Sequence, residues 1–388
     1  MQNSSYRQWA FGPGPENMRF SKAPRFATVF FICSMLAAAA DPHWDIQYRY
    51  RQIDATLTIN DMAFPSDKRG IACGYTTDNK DKDHPLVLLT SDGGKNWAES
   101  PVKETCISMF FLDDSTGWMI TDKSIWSTVE SGHSWVKLQK APAGMLRLWF
   151  LDRQHGFAAG LEKRVFETKD GGESWALIDI LKEVQGSVAF TTFGEICFSG
   201  DKGIISGWNI PPRRGGPDWM EPENAAKRQQ VPHYSVLLET IDGGKKWIKS
   251  EASVFGEITR LSLTPQGTGL GLIEFKDMFE YPSDVEKINM HTGASERTFH
   301  AKDRAITDVR LFAGSNTAII AGYETSGVVV RSPIPGKLKV LTSKDLEHWT
   351  EMAVDYRAVA HAAIIAGPDE NNLWIATDTG MILKLVKE

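Results

Sequence analysis

Eight residues recur along the chain in one order of residue types: Thr90-Ser91-Asp92-Gly93-Gly94-Lys95-Asn96-Trp97, Thr168-Lys169-Asp170-Gly171-Gly172-Glu173-Ser174-Trp175, and Thr240-Ile241-Asp242-Gly243-Gly244-Lys245-Lys246-Trp247. A fourth copy, Thr128 to Trp135, puts Glu130 at the acid position and keeps Gly132 and the Trp. A fifth, Thr342 to Trp349, keeps the Thr, a displaced Asp345 and the Trp. Self-similarity at a spacing of tens of residues marks a repeat architecture, in which each unit buries its apolar face only against its neighbours.

Upstream of each copy lies a second pattern: an apolar strand, a short polar turn, a Gly, and another apolar strand. Cys106 to Asp113 runs on to Gly117-Trp118, and Met145 to Asp152 runs on to Gly156-Phe157 without a gap. Further copies begin at Asn60, Gly194, Ile258, Ile306 and His361, which makes seven units. Each reads as strand A, turn, strand B, loop, strand C, the Asp-Gly-Gly turn, and strand D carrying the Trp. Four antiparallel strands every roughly 40–50 residues make a propeller blade. The chain is therefore expected to be all-β, a seven-bladed β-propeller of four-stranded antiparallel blades.

The last unit supplies Ala363 to Ala366, Leu373 to Thr377 and Met381 to Val386, and stops one strand short. His43-Trp44-Asp45-Ile46-Gln47-Tyr48 matches the segment that follows each Asp-Gly-Gly turn, Trp included. The N-terminal strand is thus expected to close the ring, which removes an exposed sheet edge.

The repeated phrase resembles the Asp-box, or bacterial neuraminidase repeat. Its parts suit a turn: the acid and the Thr hydroxyl accept from nearby amides, the Gly allows positive φ, and the Trp fills space beside the strand. Asp92, Gly94 and Trp97, Glu130, Gly132 and Trp135, Asp170, Gly172 and Trp175, and Asp242, Gly244 and Trp247 are accordingly read as structural. Their carboxylates fall in different blades, so a shared catalytic or metal role is not expected.

Because strands alternate in direction, all C-to-D turns emerge on one face of the disc, and the B-to-C and D-to-A loops on the other. Length variation falls in the B-to-C loops, at about residues 76–84, 209–232, 276–283 and 324–336. Irregular loops on a rigid scaffold are where binding usually resides. The longest, Asn209 to Pro232, makes Arg213, Arg214, Trp219 and Arg228 the partner-binding candidates, since Arg beside Trp is a hot-spot composition. A second candidate is the channel mouth. Equivalent positions near the start of strand A are Asp61, Ser108, Arg147, Glu195, Arg260 and Asp308, with His361 close by in the last unit. This ring would hold a polar ligand, or form a water-filled wall of self-paired ions.

The chain has 388 residues, 42% of them hydrophobic, and a formal charge of −6. It shows no long amphipathic helical pattern and no basic run for nucleic acid or a membrane surface. Arg25, the apolar stretch Phe26 to Leu36 and Ala37-Ala38-Ala39-Ala40 have the layout of a secretory signal, with Met18 a plausible start. Residues 1–40 are expected to be a polar extension plus signal, and 41–388 one exported propeller in a periplasmic, lumenal or extracellular setting, acting as a monomer without stable membrane insertion.

Cys33 falls in the signal. Cys73, Cys106 and Cys197 sit in apolar strand contexts that suit small buried thiols, with Cys73 and Cys106 the pair to test for a bridge. Asp78, Asp81 and Asp83 alternate with lysines and lack the glycine of a calcium loop. Neither a zinc spacing, nor a phosphate loop, nor a nucleophile elbow is present, so no metal or cofactor is expected.

His155-Gly156-Phe157-Ala158-Ala159-Gly160, followed by Val165-Phe166-Glu167 and the turn Thr168 to Trp175, resembles a repeat of the photosystem II stability and assembly factor family. Gly117-Trp118 with its own turn is similar. The likeness covers residues 42–388 as a repeat pattern. It implies a secreted or lumenal seven-bladed propeller without catalysis that holds a membrane-protein partner during assembly. The alternative is a secreted glycoside hydrolase of sialidase type, with its active site at the loop-rich channel mouth and Asp61 and Glu195 as a candidate carboxylate pair. Its arginine set and Tyr-Glu nucleophile cannot be assembled from named residues.

Overall fold

In the computed structural model, short runs of alternating burial, bounded by Gly and Asx turns, form strands throughout. Residues 41–138, 141–211, 232–275, 281–325 and 334–387 are described. The strands assemble into seven sheets, six of them built of consecutive antiparallel strands A to D and the seventh completed from the N-terminal segment. Blade 1 spans residues 55–101, blade 2 106–137, blade 3 145–177, blade 4 191–254, blade 5 257–300 and blade 6 304–351. Blade 7 takes strands A to C from Ala363–Asp369, Asn372–Thr377 and Met381–Val386.

Strand D of blade 7 is the N-terminal segment His43–Arg49, antiparallel to Met381–Val386. It is held on both edges. Ala353–Val354, which leaves blade 6, pairs in parallel with His43 and Trp44. Trp44 is completely buried, its indole N–H directed at the Met352 sulfur at 3.4 Å, and its carbonyl accepts from Asp355 N–H at 2.9 Å.

The repeated Gly and aromatic positions have one physical purpose, the joint between blades. Trp118 of blade 2 stacks on Phe150 of blade 3 at 3.6 Å, and Phe64 of blade 1 stacks on Trp374 of blade 7 at 3.7 Å. Phe157 of blade 3 lies over Phe198 of blade 4 at 5.3 Å. Each receiving ring also meets its own blade's turn Trp edge-on: Phe150 with Trp175, Phe64 with Trp97, Phe198 with Trp247. Such pairs contribute about 0.5–1.5 kcal/mol each beyond the area they bury.

The receiving Phe lies against a residue at the start of its own strand B, which is why Gly70, Gly156 and Gly203 are glycines. A Cβ on Gly156 would stand 2.6 Å from the Phe150 ring. Gly156→Ala is therefore expected to destabilise the protein by roughly 1–3 kcal/mol, read as a lowered urea midpoint. A Gly293→Ala control, where nothing lies within 4 Å but φ is +65°, carries only the backbone cost of a positive φ, about 1–2 kcal/mol.

At the joint of blades 1 and 2 the position of Trp118, Phe157 and Trp374 is occupied by Ile71, and here a disulfide links Cys73 to Cys106 with Cα atoms 5.9 Å apart. This corrects the reading of both residues as free thiols. The bridge joins the two cysteines singled out from the sequence for testing, whose strands are neighbours in the ring. Cys197 is buried and unbridged, its thiol pushed up to about 12 by burial and by the nearby Glu195.

Candidate functional site

The Asp-Gly-Gly turns repeat one geometry. Thr90 Oγ1 donates to Asp92 Oδ1 and accepts from Gly94 N–H, both at 2.9 Å, while Asn96 N–H donates to Asp92 Oδ1 at 2.9 Å. Thr168, Asp170, Gly172 and Ser174 repeat this, as do Thr240, Asp242, Gly244 and Lys246. In the Glu130 copy, Thr128 Oγ1 accepts from Gly132 N–H and Ser134 donates to Glu130. Hydrogen bonds from Asn96 and Ser174 hold the Asp92 and Asp170 carboxyls down to about 2. These acids are committed to the backbone of their own turns and are not available as proton donors.

The fifth copy is one residue out of the register read from the sequence. Ser343, not Thr342, supplies the hydroxyl, pairing with Asp345 at 3.1 Å and accepting from Leu346 N–H at 2.9 Å. Asp345 is thus in its ordinary place, and the turn is shorter between acid and Trp. Leu346 takes the glycine's position at φ +64°.

On the opposite face the chain between strands B and C is short in blades 2, 3 and 7. It is long in consecutive blades 4, 5 and 6, over residues 210–232, 275–282 and 325–335. In blade 1 the expected loop 76–84 is instead a strand extension. Strand B runs to Asp78, strand C restarts at Asp83, and Asp78 caps the turn by accepting from Lys80 and Lys82 N–H. Arg213, Arg214, Trp219 and Arg228 lie outside the described residues.

The channel mouth is built by a recurring bulge. In blades 1 to 6 the pairing of strands A and B slips by one residue just before Asp61, Ser108, Arg147, Glu195, Arg260 and Asp308. A bulge re-aims the following side chain. These six occupy one ring, and blade 7 contributes Ile364. The register follows from two matching hydrogen bonds. Asp61 Oδ2 accepts from Met109 N–H of the next blade at 2.9 Å, and Asp308 Oδ2 accepts from Ile365 N–H of the next blade at 2.6 Å. His361 lies three residues upstream of the ring position, where its Nδ1 is 3.1 Å from Asp378.

The charged members form a chain of contacts. Arg147 Nε donates to Glu195 at 3.2 Å, Arg260 Nη1 lies 3.8 Å from Glu195, and Arg260 Nε lies 3.7 Å from Asp308. Asp61 and Asp308 each accept backbone N–H groups at both oxygens, tying adjacent blades together. Among the described residues Glu195 has no such backbone partner. Burial pushes its carboxyl up to about 7, opposed by Arg147 and Arg260 and aided by Asp308. With the folded value above the ordinary one, the contribution of Glu195 to stability is greatest below the unfolded value near 4.5 and is lost as pH rises through about 7. Burial likewise raises Asp308, against the pull of Arg260.

One channel residue was missed from the sequence. Arg310 lines the same cavity of about 240 Å3 as Asp61, Arg147, Arg260 and Asp308, with Phe110 and Trp149 in its wall. It stands two residues after Asp308 on the same strand, so strand alternation places it on the same face. Arg260 is shared with a second cavity of about 400 Å3, lined by Glu274, Phe275, Thr307, Tyr323 and His361. Among the described residues no cluster of His, Cys, Asp or Glu would hold a metal ion, and no helix is long and apolar enough to cross a membrane.

Seven such blades around an ion-lined channel define a seven-bladed β-propeller. No protein-family model matches the chain, and no curated protein matches its sequence. Solved structures do match. YCF48 bound to a D1 peptide superposes with a TM-score of 0.56 at 15% identity, over 89% of this chain and 97% of that one. YCF48 from Cyanidioschyzon merolae gives 0.55 at 14%, over 88% and 98%. The WD40 β-propeller domain of Doa1 gives 0.53 at 12%, over 89% and 97%. At such identities the likeness is one of fold.

Proposed function

We propose that this chain is a non-catalytic binding propeller that takes a protein partner on the face carrying its B-to-C loops, in the manner of an assembly factor. The observation that carries this reading is the state of the carboxylates a hydrolase would need. Asp61 is pinned through both oxygens to the backbone, and Glu195 is held between two guanidinium groups. Among the described residues, Tyr48 pairs with Glu99 and Tyr234 with Glu251. Tyr48, Glu99 and Glu251 belong to outermost strands and Tyr234 to the strand beside one, away from the channel. Burial and the neighbouring acid raise both phenols, the wrong direction for a nucleophile.

The long connections cluster on blades 4 to 6, and blades 5 and 6 also supply Arg260, Asp308 and Arg310 to the channel. The likeness of fold to a propeller seen with a bound peptide supports a protein ligand. The bridge between Cys73 and Cys106 supports export, because such bonds persist in oxidising compartments. The reading places the protein in a periplasmic, lumenal or extracellular space.

Affinity capture from the native envelope tests it, comparing the intact protein with a form whose residues 210–232 are replaced by a short Gly-Ser turn. A stoichiometric partner that is lost with the loop while the melting curve is unchanged is the expected result. Turnover of aryl glycosides or sialosides that disappears in Glu195→Gln would overturn it.

A further inference from the structure

The outermost strand of a blade presents a backbone edge to solvent, and proteins guard such edges with charge, proline or a covering segment. Five blades of this ring carry a charged residue there: Glu99 in blade 1, Lys137 in blade 2, Lys249 in blade 4, Arg297 in blade 5 and Glu351 in blade 6. The edge of blade 7 is covered instead by a fifth strand, Ala353–Val354. Blade 3 has neither. Its outer strand Ala176–Leu177 lies within the apolar run Trp175-Ala176-Leu177-Ile178, and both strand residues are exposed.

This edge is open to hydrogen bonding. Leu177 stands opposite Phe166 and Ala176 opposite Glu167, and Ile178 N–H donates to the Val165 carbonyl at 3.1 Å. Alternation of the antiparallel ladder then turns the Leu177 amide and carbonyl away from strand C. Beyond Ile178 the chain leaves the sheet in a short 3-10 helix, Asp179–Lys182.

Beside the edge runs a groove of about 1000 Å3, whose far wall is blade 4. Leu177 on the near wall is 56% exposed, and Ile241 and Ile248 on the far wall are 69% and 68% exposed. Large aliphatic side chains gathered in one groove are the composition of an interaction site. The groove continues at Gly244 and Lys245 into cavities of about 400 and 450 Å3. Acids in these walls outnumber lysines by seven to three, and by seven to four with Lys182, which pairs with Asp179 from outside. Lys245 and Lys246 act on Asp242 within their own turn.

We propose that blade 3 takes a fifth strand from a partner protein, an extended segment that pairs with Leu177 and alternates apolar with basic residues. Its apolar side chains lie against Leu177, Ile241 and Ile248, and its basic ones meet the excess of acids. Main-chain hydrogen bonds at a free edge with alternate side chains in a groove are the general mode of strand addition. Blade 7 shows that a blade of this ring accommodates a fifth strand. A second copy of the chain would set two acid-rich walls against each other, which disfavours it as the occupant. This surface lies on the outer rim and is separate from the face that carries the B-to-C loops.

The test is calorimetric titration of the full chain with three hexapeptides, each acetylated and amidated: alternating Lys and Val, alternating Glu and Val, and the Lys-Val sequence with every second backbone amide methylated. Only the first is expected to bind, with affinity falling at least about tenfold between about 50 and 500 mM salt. Leu177→Pro removes the outward amide and no internal hydrogen bond, and is expected to lower affinity at least about tenfold with the melting curve unchanged. Leu177→Ala keeps the amide and is expected to lose less. Ile248→Lys, an exposed change on the far wall, is expected to abolish binding by placing a like charge in the groove.

No binding of the Lys-Val peptide by the intact protein would overturn the proposal. So would equal binding of the acidic or the methylated peptide, or full affinity in Ile248→Lys. A dimer in sedimentation that Leu177→Pro dissolves would assign the edge to a second copy and overturn it as well. Replacement of residues 210–232 is expected to leave peptide affinity unchanged; its loss would assign the peptide to the loop face instead.

Discussion

Removing residues 41–52 from the chain is expected to abolish the cooperative melt of the ring rather than trim its edge. Those residues contain strand D of blade 7, which pairs with the last strand of the chain on one side and with Ala353–Val354 on the other. Trp44 is fully buried in the cluster that contains Leu383, Leu385, Ile375 and Val340. Gln47 accepts the indole N–H of Trp374 at 3.3 Å, beside the Phe64 to Trp374 stack that joins the first blade to the last. Trp44→Ala alone should cost roughly 3–5 kcal/mol, and a domain's whole stability is about 5–15 kcal/mol. Loss of the entire strand therefore leaves no stable ring. Differential scanning calorimetry decides it: a deletion variant that melts at the temperature of the intact chain would exclude closure by this strand.

Reducing the bridge between Cys73 and Cys106 is expected to produce the second large effect. The two residues are separated by 33 positions, and closing a loop of that size constrains the unfolded chain by about 3–4 kcal/mol in the chain-entropy model. The effect falls on the joint where Ile71 replaces the stacking aromatic. Urea unfolding with and without a phosphine reductant should show a lower midpoint on reduction. Thiol counting in denaturant provides the chemical check. Reagent reacting with both Cys73 and Cys106 in unreduced protein would rule out the bridge.

Both effects locate the weak points of the circle at its seam. Blade 7 is completed from the start of the chain, and blade 1, the next in order, is locked by its disulfide to blade 2. A propeller has no continuous core, only seven joints, so its resistance to opening is set by the least secure of them. The joints of blades 2 with 3, 3 with 4 and 7 with 1 are secured by stacked rings.

How much of this could be read from residues alone depends on how local each feature is. The Asp-Gly-Gly turn is closed by Thr90, Asp92, Gly94 and Asn96 within seven positions, so its pattern survives in the sequence and counts the blades. The fifth copy was misread by one position because Thr342 and Ser343 are both hydroxyl residues, and only strand pairing shows which one ends strand C. Loop 76–84 was misread because a hairpin extension and an irregular loop share a polar composition. The Gly before Trp118 and Phe157 was visible as a repeat, but the reason for it, a Phe ring lying flat on the backbone, was not.

The channel shows the same division. Asp61, Ser108, Arg147, Glu195, Arg260 and Asp308 could be aligned because each follows the start of strand A. Their common aim into the channel comes from a bulge that no residue type announces. Arg310 was within reach of simple strand alternation from Asp308.

The order of residues was thus sufficient for blade number, strand order, the turn on the closed face and the strand lent by the N-terminus, because each blade folds on contacts within a few tens of residues and repeats them. Whether the cysteines bridge, the common aim of the bulge-directed ring and the meeting of Arg147, Glu195 and Arg260 were decided only by closure of the circle. Those three residues come from blades 3, 4 and 5, with Arg147 at 3.2 Å and Arg260 at 3.8 Å from Glu195. No periodicity along a chain records which of its strands will face one another across a channel.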